Sequence, residues 1–167
     1  MNKQNEFKQE ALSALRIALQ WVGLAIPTGL VCGLIGTAFH LSVEFVTELR
    51  AQQPWLLFLL PVAGLAITAL YKLTRCEGVG TNNVIRAVQD GEAVSPLLVP
   101  AIFFGTVLTH LFGGSAGREG AALQMGGSIG WNVGKLLHLS DHVRRTATIS
   151  GMAAFFSALF GTPLTAA

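Results

Sequence analysis

Charge is what this sequence has least of. Only 12% of its 167 residues are charged, against roughly a quarter in a soluble domain. So few cannot coat a sphere in water, and the 51% hydrophobic content excludes a disordered chain as well. Cysteine is nearly absent too. Cys32 lies in an apolar run and Cys76 in a polar loop, which excludes a disulfide framework and a cysteine metal site and leaves two structural thiols. The net charge is +2 and the basic residues are scattered, so the clustered basic face of a nucleic-acid binder is missing. The N-terminus does not read as a secretory leader, since charges of both signs run on to Arg16 and the apolar stretch after it is too long for a leader core, so this segment is expected to be retained. Nor is there a nucleophile beside a base. His138 and His142 flank Asp141 without a third ligand, which argues against a metal. Neither enzymatic activity nor a cofactor is expected.

What is there is long apolar sequence. Leu15–Val46 is broken only by Arg16, His40 and Glu44, long enough to cross a bilayer at a marked tilt. Pro27 predicts a kink within it. Trp55–Leu73 forms a second span with Trp55 and Tyr71 at its two ends, where amphipathic rings favour the headgroup zone. Basic residues precede span one (Lys3, Lys8, Arg16) and follow span two (Lys72, Arg75, Arg86), whereas the loop between them has Arg50 alone. The positive-inside rule then predicts an in–out–in hairpin with a cytoplasmic N-terminus.

Later segments are uneven. Pro96–Phe112 is apolar, a helical run covers about Glu119–Leu137, HLSDHVRR reads as a polar link, and Thr146–Phe160 is apolar again. Short, glycine-interrupted segments are how transporters place backbone inside a membrane. Gly126, Gly130 and Gly134 recur every four residues, a pattern of close helix packing rather than of binding. His110 ends an apolar run and reads as a hydrogen-bonded structural residue. The final GTPLTAA reads as a helix interrupted in its course, so the chain is expected to be the first part of a longer protein.

Between Ala93 and Gly134 the only formally charged residues are Arg118 and Glu119, inside GGSAGREGAAL. An ionisable residue at membrane depth costs about 2.5–3.5 kcal/mol and so suggests function. A helix beginning there points unpaired N–H groups outward and adds a partial positive charge. That is an anion seat without a fixed cation, and the Glu119 carboxylate can occupy it, leave it or carry a proton. Adjacent residues do not face one another on a helix, so a mutual Arg118–Glu119 salt bridge is not the natural explanation. The dinucleotide and P-loop patterns both fail: GVGTNN lacks the third glycine, and GGSAGREG lacks the Lys-Ser/Thr ending.

Gly117-Arg118-Glu119-Gly120-Ala121, followed by Gln124-Met125-Gly126-Gly127-Ser128-Ile129-Gly130 and by Phe160-Gly161-Thr162-Pro163-Leu164, resembles the CLC anion channels and proton-coupled antiporters. The resemblance runs in the family's order over most of the chain. It implies an all-α membrane protein: a CLC-type bundle with broken and short helices, in which residues 1–167 are the N-terminal part of one inverted-repeat transport domain. It also implies a homodimer in membrane lipid, at the plasma membrane, carrying chloride or fluoride in exchange for protons. Glu119 becomes the gating and proton-coupling glutamate, with backbone amides around Arg118, Gly120 and Ala121 on the anion. The family's serine-bearing element has its nearest counterpart in Gly80-Thr81-Asn82-Asn83. Thr81 offers a hydroxyl and Asn82 an amide; either is also an ordinary cap for the short helix that follows. That element is replaced here and Ala121 stands for the usual proline, two departures that resemble the fluoride/proton antiporter branch. A passive CLC-type chloride channel and a non-transporting membrane scaffold are the alternatives.

Overall fold

The computed structural model describes residues 3–166, with side chains described for Gln9 and from Leu12 onward. It is all helix: α1 (Lys3–Gln52), a 3₁₀ segment (Pro54–Leu59), α2 (Leu60–Leu73), α3 (Thr81–Gln89), α4 (Leu98–Leu111), α5 (Arg118–Leu136), α6 (Asp141–Phe160) and α7 (Pro163–Ala166). At 50 residues, α1 is about 75 Å long, well beyond a hydrocarbon core of about 30 Å. Pro27 lies inside it without ending it. Leu12–Gln52 and Pro54–Leu73 are long and apolar enough to cross a membrane, with mean hydropathies of 1.8 and 2.0. Only 11% of the second is buried, too little for the core helix of a soluble protein. The two spans do not form a close pair: α2 packs on α4, where Tyr71 covers Gly105.

Three helices carry the centre. Phe39 of α1 meets Phe103 of α4 at 5.5 Å and Phe155 of α6 at 6.4 Å between ring centroids. The tightest seam joins α5 and α6. A Cβ on Gly126 would overlap the Gly151 carbonyl, one on Gly130 the Ala147 carbonyl, and one on Gly151 the Gly126 carbonyl. The four-residue glycine spacing is therefore packing, as its sequence pattern predicts. Gly127 lies beside this seam, near Met152 and Thr148 of α6, and makes room for Val84, seating α3 on the same helix.

Extended backbone beside these helices is paired from α5. Ser128 Oγ donates to the Ser95 carbonyl (2.8 Å), and Asn132 Nδ2 donates to the Val94 carbonyl (3.1 Å). Irregular backbone at membrane depth is tolerated where protein satisfies it in this way. Both cysteines are buried and free, as expected of structural thiols.

One boundary differs from the sequence reading. HLSDHVRR is not a link throughout: α6 starts at Asp141, behind Ser140, and absorbs His142–Arg145. An acid in the first turn, Asp141, suits the helix dipole and outweighs the polarity of the segment. The preceding helix stops at Leu136 because His138 takes a left-handed conformation (φ 53°), and its N–H bonds back to the Lys135 carbonyl at 3.0 Å.

Candidate anion site

Two helices begin next to each other, and both begin on glycine. The cap of α3 is Gly80 and that of α5 is Gly117; neither supplies a side-chain acceptor to the first turn behind it. The expected cap for α3, Thr81 or Asn82, is thus corrected: both lie inside the first turn. Gly80 can serve because Asn83 completes the cap from within. Its Oδ1 accepts from the Gly80 N–H at 3.0 Å, while its own N–H donates to the Gly80 carbonyl at 3.0 Å. Gly80 and Asn83 therefore satisfy each other, leaving Thr81 and Asn82 to present their amides outward.

Thr81 is the meeting point. Its hydroxyl accepts from Gln124 Nε2 of α5 at 3.2 Å, and a Cβ on Gly120 would sit 3.7 Å from the same oxygen. Thr81, Gly120 and Gln124 therefore form one cluster where the two helix starts approach. Ala121 is buried immediately behind it. Sequence reasoning named Thr81 and Gly120 but treated Gln124 only as part of a motif; its four-residue offset from Gly120 was the available signal.

Arg118 and Glu119 occupy the first two positions of α5 and diverge. The Glu119 side chain is exposed in this chain. Arg118 is half-buried and turns toward α1, where its Nη2 donates to His40 Nδ1 at 2.8 Å. The other ring nitrogen of His40 lies 3.4 Å from Glu44 Oε1. Among the described residues no ion pair joins Arg118 to Glu119, in line with their adjacency on the helix. His110 is bonded locally, its Nδ1–H donating to the Thr106 carbonyl at 2.9 Å, the structural placement expected of it. No group of three or more potential metal ligands occurs among the described residues.

Broken helices whose starts converge beside long apolar spans define a class, the membrane proteins that hold small ions at helix termini. Residues 63–167 match the sequence profile of the voltage gated chloride channel family, and the chain belongs to that family. A chloride/fluoride channel protein of Pseudomonas syringae pv. tomato is 38% identical over 96% of this chain and 36% of its own length. The H(+)/Cl(-) exchange transporter ClcA of Cronobacter sakazakii is 35% identical over 93% of this chain and 37% of its own. The crystal structure of a CLC-type fluoride/proton antiporter superposes with a TM-score of 0.79 at 36% identity, over 86% of this chain and 37% of that one. The chain thus spans little more than a third of the length of these relatives, and the CLC-type fold expected from the sequence is the fold observed.

Proposed function

We propose that the full protein is a multi-pass membrane transporter of halide, exchanging fluoride or chloride for protons through Glu119. The observation that carries this reading is the convergence of α3 and α5 at Thr81, Gly120 and Gln124. Uncapped amides of Thr81, Asn82, Arg118, Glu119 and Gly120 supply partial positive charge there, firm enough to replace hydration yet weaker than a fixed cation. Glu119, in the first turn of α5, is read as the gate of that seat. Ionised, it competes with the anion; protonated, it yields. Fluoride is a stronger acceptor than chloride, and the amide-rich Thr81-Asn82 start suits it. The relatedness to a fluoride/proton antiporter supports the same cargo. The remaining parts of the reading, a homodimer in the plasma membrane with a cytoplasmic N-terminus, rest on family likeness and on the basic residues flanking the two spans.

Efflux of fluoride and of chloride from liposomes holding the full-length protein tests the proposal. Proton-coupled flux in the parent and uncoupled flux in Glu119→Gln support it. Uncoupled flux in the parent instead supports a passive channel, the reading favoured by the description of the P. syringae relative. Absence of flux leaves a scaffold.

A further inference from the structure

Arg118 has a partner in the structure that the anion site does not require. A guanidinium only donates hydrogen bonds, so the 2.8 Å contact makes His40 Nδ1 an acceptor. That fixes the tautomer: the ring proton sits on Nε2, directed at Glu44 3.4 Å away. Arg118 Nε is buried without a partner of its own, so the His40 contact is the hydrogen bond recorded for this guanidinium. His40 itself is half-buried, with its side chain 37% exposed, and is reachable by protons. Both of its partners, Glu44 and Arg118, line an open cleft of about 410 Å³ together with Thr47 and Glu48 of α1 and His110 of α4.

We propose that His40 is a positioning residue for the gate, an inference that rests on the transport reading above. Neutral, it holds the Arg118 guanidinium against α1, away from the start of α5. A proton on Nδ1 removes the acceptor and sets two cations face to face, so Arg118 is released. The released guanidinium stands one residue from Glu119 and adds a full positive charge to a seat built from partial ones. The anion is then held more tightly and leaves more slowly. The hold is therefore present while the His40 ring is neutral and lost once the ring takes a second proton. The groups in contact with His40 are Glu44 on its own helix and Arg118 on α5; Glu48 and His110 line the same cleft as those two partners.

The test uses full-length protein carrying Glu119→Gln, which removes the gate's own titration. Its uncoupled halide flux at symmetric pH is expected to fall about tenfold from pH 8 to pH 5, the scale set by one hydrogen bond to a charged group. Adding His40→Gln, whose amide oxygen still accepts from Arg118 but does not titrate, is expected to flatten that profile. An unchanged pH step in the double variant assigns it to Glu44, Glu48 or His110 and overturns the proposal; so does a flat profile in both. Nitrogen-15 NMR of labelled histidine in the parent, assigned with His40→Gln or His40→Asn, reads the tautomer independently of flux. An unprotonated Nδ1 at neutral pH is expected, and a protonated one overturns the proposal. Loss of flux in every variant, with the tautomer as expected, counts against the transport reading and not against the His40 contact.

Discussion

Asn83 shows how one side chain decides what a helix start is free to do. By taking the Gly80 N–H on its own oxygen, it fixes the entry into α3 and leaves the next two amides uncommitted. Asn83→Ala is expected to cost about 1 kcal/mol through loss of this cap, read as a lower thermal midpoint, and to weaken halide flux because the Thr81 and Asn82 amides lose their aim. Thr81→Val keeps the shape but leaves Gln124 Nε2 without its acceptor. About 1–3 kcal/mol of stability is expected to go with it; unchanged stability and flux would show that the α3–α5 contact at Thr81 is incidental. These residues were legible in the sequence as a polar, glycine-led element, but their division of labour was not. Capping by a glycine with help from three residues on follows from backbone geometry. The pairing of Arg118 with His40 was invisible for a different reason, since 78 positions separate the two in sequence. What the sequence did offer was the His40/Glu44 pair at helical spacing within an apolar run, a combination that membrane depth makes expensive.

At the scale of elements, the α5–α6 seam sets the position of everything else. Backbones there touch through Gly126, Gly130 and Gly151, and α3 is seated by Gly127 beside the seam. Without a hydrophobic force between helices in lipid, such close contact is the main attraction available. Gly130→Val is therefore expected to destabilise the fold by about 3 kcal/mol or more, since the added carbons meet carbonyl backbone that cannot yield. The check is the yield and thermal midpoint of the detergent-solubilised full-length variant. A stable Gly130→Val protein would mean that the helices are held chiefly by something else. Apolar runs and glycine spacing made most elements readable. The start of α6 was not, because Asp141, His142, Arg144 and Arg145 conceal the first turn of a helix that turns apolar only further on. The end of α5 was read to within one residue, although the left-handed turn after it is held by His138 and not by a glycine.

For the whole molecule, family and fold were readable from the GREG and glycine-helix elements, and the profile match with the 0.79 superposition agree with that reading. Cargo and coupling belong to a longer path than this chain provides, since it spans 36% and 37% of the two relatives. The central claim is that two glycine-capped helix starts bind a halide for which the Glu119 carboxylate competes. Calorimetric titration of full-length protein with fluoride and with chloride, at pH 8, tests it most directly. The account predicts that Glu119→Gln binds the transported halide more tightly than the parent, about tenfold for a competitor held by one charged hydrogen bond. Equal affinity in the two proteins, or weaker binding in the variant, would contradict it.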